Sequence, residues 1–211
     1  MVRRRGGWRS WFFGLLLGAL LLAGAFYLDA SVQAWVTHHQ VPLVAQFMER
    51  VSWWGDWPQH VAVALLGALI AYALGSRRWI MICVAMIIAC ALAGMTNRVL
   101  KIATGRARPT VSVDAGWNGP RFGSKYNSFP SGHTAASTAF FGTLLLARRR
   151  VGLVLLPIPV LVAVSRIYLN AHHFSDVMGG ALVGVLSALV TWHFISKNML
   201  DTRARPKGYL A

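Results

Sequence analysis

Apolar residues in this chain fall in long unbroken blocks separated by short polar punctuation, not at the two- or 3.6-residue spacing of a half-buried strand or surface helix. Six such blocks are legible. They run Trp11–Leu28, Gln59–Leu74, Trp79–Leu100, Ser131–Ala147, Val151–Leu169 and Val177–Ile195. At 1.5 Å per residue, Trp79–Leu100 covers about 33 Å, enough to cross a hydrocarbon core. The pattern predicts an all-α membrane protein: six transmembrane helices in one bundle, with both termini on one side.

The punctuation refines this. Ala23-Gly24-Ala25 resembles a cleavage site, but an apolar run of about 18 residues exceeds the h-region of a signal peptide and predicts a retained first helix. Residues 29–58 carry Trp35, Trp53, Trp54 and Trp57, the signature of a headgroup-level loop or short amphipathic helix, and His38, His39, Glu49, Arg50 and Asp56 read there as solvated. Pro157 and Pro159 predict a bend in the fifth span, which membrane helices tolerate. Residues 102–129 form a polar connection too long to be a plain turn, which predicts a partly ordered loop bordering a site. Residues 197–211 read as a flexible basic tail. With no repeat and no linker, residues 1–211 are expected to form a single integral-membrane domain.

Composition agrees: 56% of residues are hydrophobic and 13% charged, against about 25% charged in a soluble domain. A formal net charge of +15 raises nucleic acid as a partner, but the basic residues lie between apolar runs and not on one soluble face, which excludes it. Cys83 and Cys90 share one apolar run and read as small buried hydrophobes. The positive-inside rule gives orientation. Thirteen of the 21 lysines and arginines fall on the side of the termini, which predicts cytoplasmic termini. The other eight are Arg50, Arg98, Lys101, Arg106, Arg108, Arg121, Lys125 and Arg166. Cations kept on the depleted side imply an anionic ligand there.

Three clusters carry the chemistry, and the span count puts all of them at one membrane face. Lys101 is followed by six residues and Arg108-Pro109; Pro130-Ser131-Gly132-His133 opens the fourth span; Ser165-Arg166, His172 and Asp176 join the fifth span to the sixth. Titratable groups at span ends are costly and mark function. Arg108 and Arg166 can grip phosphate oxygens bidentately, and Lys101 adds a compact charge. Amides of Ser131, Gly132 and His133 at a helix start can face an anion. Asp176, four residues after His172, can fix its tautomer and leave the other ring nitrogen free to attack phosphorus, while His133 protonates the leaving oxygen. His173 also lies near Asp176, three residues away. Arg98, Arg106, Arg121, Lys125 and Asn97 read as supporting or interfacial residues.

These clusters resemble the three signatures of the type 2 phosphatidic acid phosphatase superfamily (KX6RP, PSGH and SRX5HX3D), in order and with matching spacing across Lys101 to Asp176. His173 and Phe174 stand where many members have an aromatic residue and proline. The resemblance implies a metal-independent lipid phosphatase with no cofactor and no obligate protein partner. His172 would be nucleophile, His133 acid, Asp176 the orienting carboxylate, and Lys101, Arg108, Arg166, Ser131 and Gly132 would bind phosphate. It further implies a bacterial inner-membrane location with the site facing the periplasm. The substrate class would be undecaprenyl diphosphate, phosphatidylglycerol phosphate, phosphatidic acid or lipid A 1-phosphate. A lipid-to-lipid phosphotransferase is the alternative. Vanadium haloperoxidases share the motifs but are larger and soluble, and an anion channel would spread its cations along a pore.

Overall fold

The computed structural model describes residues 8–112 and 116–204, with residues 9–11 and 198–204 described by their backbone alone. Among the described residues, eight α-helices succeed one another: α1 (Trp8–His39), α2 (Pro42–Trp54), α3 (Trp57–Ala73), α4 (Arg77–Thr104), α5 (Gly132–Ala147), α6 (Arg149–Leu155), α7 (Pro157–Tyr168) and α8 (Phe174–Ala204). Among the described residues, four stretches are long and apolar enough to cross a membrane: Phe12–His39, Arg77–Thr104, Arg149–Tyr168 and Phe174–Lys197. Trp57–Ala73 is a shorter apolar helix.

The helix ends have local causes. Asp56 caps α3, its Oδ1 accepting from the Trp57 amide at 2.9 Å, with Pro58 in the first turn. α4 stops at Gly105, whose φ of +52° turns the chain into the left-handed region. A Cβ there would meet the Gly119 carbonyl oxygen at 1.8 Å, so the chain at Gly119 folds tightly back on the helix end. Pro157 starts a new helix and so divides α6 from α7, as the two prolines predict.

Differences from the sequence reading are confined to the ends of blocks. α1 runs eleven residues past Leu28, because nothing between Ala30 and His39 breaks a helix and Asp29 finds a cation. Within 29–58, residues 42–54 form the short helix α2, one of the two forms expected there. α8 continues through Ala204, where a flexible tail from residue 197 was expected. Its last turns contain good helix formers and no Pro or Gly before Pro206. The remainder of that tail, 205–211, lies outside the described residues.

α5 is the hub, packing on α3, α4, α6, α7 and α8, while α8 also lies along α4 and α1. Small residues permit this. Ala89 and Ala93 of α4 meet Ala135 and Ala139 of α5 in a fully buried cluster. On α8, a Cβ at Gly180 would meet the Ser131 carbonyl oxygen at 2.5 Å, and one at Gly184 the Thr138 Cβ at 2.6 Å. Close helix approach through small residues is how helices associate in lipid, where burying apolar surface gives no gain over acyl chains. Larger side chains fill the other half of the α3–α4–α5 interface: Ile82, Met86, Phe140, Phe141 and Leu144, with buried Cys83 and Cys90 among them. Leucines such as Leu15, Leu65 and Leu69 face outward, where acyl chains would meet them. The α5–α8 contact has the largest bearing on chemistry, because it holds the Pro130–His133 turn against the start of α8.

Candidate active site

One end of the bundle gathers the last turn of α4, the long loop, the first turns of α5 and α8, the last turn of α7, and the α2–α3 corner. Asp176 sits at its centre with no exposure. Its Oδ1 accepts from Arg106 Nη1 at 2.6 Å. Its Oδ2 accepts from Ser128 Oγ at 2.5 Å and the His173 amide at 2.8 Å. Its backbone carbonyl accepts the Ser131 amide at 2.8 Å, which ties the second sequence cluster to the third. A buried carboxylate is stable only when its lone pairs are satisfied by donors, and here cation, hydroxyl and amide all contribute.

His172 lies in the turn before α8 and is 3% exposed. Its Nδ1 stands 3.6 Å from Asp176 Oδ2, just beyond hydrogen-bond length, and makes no other bond. Burial pushes the imidazole down to about 3, opposed by Asp176 and reinforced by the charges of Lys101 and Arg166. The ring is therefore neutral at ordinary pH, with Nδ1 facing the carboxylate and Nε2 left for other chemistry. The ring of His173 turns elsewhere: its Nε2 lies 3.3 Å from the Ala107 carbonyl, so only its backbone approaches Asp176.

The predicted cations surround this pair. Lys101 Nζ donates to the Asn127 carbonyl at 2.5 Å. Arg108 donates through Nη1 to the Ala171 carbonyl at 3.3 Å and through Nε to the Ser124 carbonyl at 3.1 Å. Arg166 Nη1 donates to the Ser52 hydroxyl of α2, and its Nε is buried without a partner. These bonds go to neutral oxygens, and none of the three cations forms a direct ion pair with a carboxylate among the described residues.

Ser131 departs from its expected part. Its amide is committed to Asp176, and its hydroxyl, with no exposure, accepts from Thr134 Oγ1 at 3.1 Å. A tertiary acceptor has taken the donor that an isolated helix start would offer to an anion. Gly132 and His133 remain at the first positions of α5, where a helix has no carbonyl for their amides.

A groove of about 610 Å³ opens between α3, α4 and α5. Its polar end is lined by Lys101, Gly132, His133, Asn97 and Asp56, and its walls continue over Cys90, Ala91, Gly94 and Ala136. Of the eight predicted site residues it touches Lys101, Gly132 and His133. Arg108, Ser131, Arg166, His172 and Asp176 are not in its lining.

Sequence reasoning missed several members. Asp29 of α1 accepts from Arg106 Nη2 at 2.7 Å, from the Ser175 amide at 2.8 Å and from Ser175 Oγ at 2.6 Å. The Arg106 guanidinium also lies against both Phe26 and Trp117, 5.3 and 4.9 Å from the ring centroids. The available signal was an acid at the end of an apolar run, which requires a partner. Asp56, expected to be solvated, lines the groove beside His133.

Residues 80–200 match the PAP2 superfamily. A lipid A 1-phosphatase of Rhizobium johnstonii is 32% identical over 119 residues, covering 55% of this chain and 49% of that protein. A probable lipid phosphate phosphatase 4 of Arabidopsis thaliana is 34% identical over 155 residues, covering 57% and 50%. The chain thus spans about half the length of the curated relatives it matches. Among solved structures, a transmembrane PAP2-type phosphatidylglycerolphosphate phosphatase from Bacillus subtilis superposes with a TM-score of 0.67 at 21% identity, covering 87% of this chain and 94% of that one. Aquifex aeolicus LpxE gives 0.53 at 21% identity, over 79% and 95%. These two similarities concern the fold.

Proposed function

This chain belongs to the PAP2 superfamily, and on that premise we propose that it hydrolyses the terminal phosphate of a membrane lipid through a phosphohistidine. The observation that carries this reading is the groove: cationic and histidine-bearing at one end, apolar along its walls, and open between helices. A lipid phosphate has the same division. Lateral entry between α3 and α4 would bring its headgroup to His133 and Lys101 while the chain stays in hydrocarbon.

In the proposed reaction, Lys101, Arg108 and Arg166 hold the non-bridging phosphate oxygens and offset the charge that develops on them. His172 Nε2 attacks phosphorus in line; the N–P bond forms as the P–O bond to the lipid breaks. His133 supplies the proton to the departing oxygen. It then removes a proton from water, whose oxygen attacks the phosphohistidine, releases phosphate and restores His172. Asp176 orients His172 and favours the cationic ring that forms on attack. The amides of Gly132 and His133 add to the phosphate cradle. None of these steps requires a metal.

For topology, α1, α3, α4, α5, the α6–α7 pair and α8 are read as six crossings, with both termini cytoplasmic and α2 at headgroup depth beside Trp53, Trp54 and Trp57. The short α3 and α5, about 26 and 24 Å long, recess the site below the headgroups. A bacterial inner membrane with the site facing the periplasm fits the arginine distribution. Undecaprenyl diphosphate, phosphatidylglycerol phosphate, phosphatidic acid and lipid A 1-phosphate form the test panel.

The experiment is phosphate release by purified protein from each lipid alone, with and without EDTA. Hydrolysis that survives the chelator, and its loss together with any trapped phosphoenzyme in His172→Ala, are expected. Near-normal turnover by His172→Ala would overturn the nucleophile, and a strict need for added Mg²⁺ would overturn the metal-free route. Loss of phosphate from the donor lipid only when a second lipid is present, with the phosphate recovered on that acceptor and none released, would favour a phosphotransferase.

A further inference from the structure

The opposite end of α4 carries a second built site. There, about 35 Å along the helix axis from Lys101, a cavity of about 390 Å³ lies between the first turn of α4 and the α5–α6 junction. Arg78, Arg148, Arg149 and Arg150 line it, with Trp79 and Val151. The Arg148 guanidinium lies over the Trp79 ring, 5.1 Å from its centroid, and so is held in place. Its Nε is buried and has no hydrogen-bond partner. No carboxylate among the described residues pairs with Arg148, Arg149 or Arg150. A buried donor without an acceptor is costly, and an ordered guanidinium with an unused N–H is set to receive an anionic oxygen.

An apolar groove of about 380 Å³ adjoins this cavity and shares Trp79 and Val151 with it. It continues between α3, α4 and α5 past Gly67, Cys83 and Phe140. The basic head and the apolar groove therefore meet at one tryptophan. A soluble anion would use only the first, and an uncharged lipid only the second.

We propose that this is a binding site for an anionic phospholipid, with its phosphodiester on the arginines and one acyl chain in the groove. Basic pockets between helices at a membrane interface have the charge for such headgroups, and the planar fork of arginine matches two phosphate oxygens. No histidine lines either cavity, and the catalytic end is a full span away, so this lipid is held and not consumed. It bridges α4 to the α5–α6 junction in the leaflet opposite the groove that holds His133.

The test uses the full chain, purified in a neutral detergent and studied by native mass spectrometry. The probes are phosphatidylglycerol and phosphatidylcholine with the same acyl chains, both phosphodiesters without a terminal phosphate. One phosphatidylglycerol should be retained at least 10-fold better than phosphatidylcholine. Arg148→Gln/Arg150→Gln should lose that preference, whereas Arg108→Gln, altered at the other end, should keep it. Arg148→Lys/Arg150→Lys, with charge conserved, should retain an intermediate amount. Gly67→Leu, which fills the groove and leaves every arginine in place, should weaken retention independently. Equal retention of both lipids by the unaltered chain, or undiminished phosphatidylglycerol on the double glutamine variant, would overturn the proposal. So would equally effective competition by soluble glycerophosphoglycerol, which would make the site a plain anion pocket.

Discussion

Replacing Asp29 by alanine tests the ion cluster at its weakest-anticipated point. The carboxylate accepts three hydrogen bonds, from Arg106 Nη2, the Ser175 amide and Ser175 Oγ, all between 2.6 and 2.8 Å. The Arg106 and Asp29 side chains are 8% and 13% exposed, so solvent screens the pair little. Arg106 would keep Asp176 but lose half of its carboxylate coordination, and the Ser175 donors at the start of α8 would lose their acceptor. Removing one partner of a buried ion pair costs about 3–5 kcal/mol. For a chain of this size that lowers the melting temperature by roughly 6–20 °C. Asp29→Asn keeps an acceptor oxygen for the Ser175 amide and should lose less than half as much. The assay is thermal unfolding in a fixed detergent, then phosphate release at a temperature where every variant is folded. There, kcat should fall at least 10-fold in Asp29→Ala with KM little changed, because the loss displaces the His172–Asp176 turn and not the lipid groove. Wild-type melting and wild-type kcat in Asp29→Ala would refute the cluster's role.

The geometry sets three further outcomes. His172 titrates near 3 when folded and near 6.5 when unfolded, so between those values the unfolded chain binds the extra proton. Stability should therefore be full above pH 6.5 and decline as pH falls toward 3; denaturant midpoints across that range should depend less steeply on pH in His172→Asn, with the other buried histidines, His173 among them, keeping part of the slope. Gly184→Ala should part α5 from α8, because its Cβ would lie 2.6–2.9 Å from Thr138, Ala135 and Ala139; overpacking of about 1–3 kcal/mol would appear as a drop in melting temperature with reduced kcat. Gly94→Phe would narrow the apolar wall of the 610 Å³ groove, so kcat/KM should fall at least 10-fold for a long-chain lipid phosphate and hold for p-nitrophenyl phosphate.

The blocks of apolar residues were enough to place most helices within a few residues, since length and hydropathy decide what can lie in lipid. α4, predicted over 79–100, extends over Arg77–Thr104, and α5 differs from its predicted start by one residue. The Pro157 break was legible because proline acts locally. Motif spacing likewise found residues of one bundle end that are distant in sequence. What escaped were bonds set only by tertiary approach. Asp29 meets Ser175 across 146 positions, and no spacing rule joins them. An aspartate after an apolar run reads as the end of a span; paired with Arg106, it lets α1 continue to His39. Ser131 looked like an anion donor because its sequence places it before a helix, but the neighbouring Asp176 carbonyl has claimed its amide.

The ion cluster also orders events during synthesis. Asp29 and Arg106 are joined across 77 positions, and Asp176 is made 70 positions after Arg106. At about 5–20 residues per second, Arg106 would spend roughly 4–14 s with Asp29 as its sole acidic partner before Asp176 is made. That early pair is electrically neutral, so the long polar loop can settle beside α1 without stranding a charge. Arrival of α8 then adds the second carboxylate and the histidine turn together. On the proposed reaction, the newly made chain would thus be chemically silent until α8 docks, and a product truncated before His172 would carry cations proposed to hold phosphate without the proposed nucleophile.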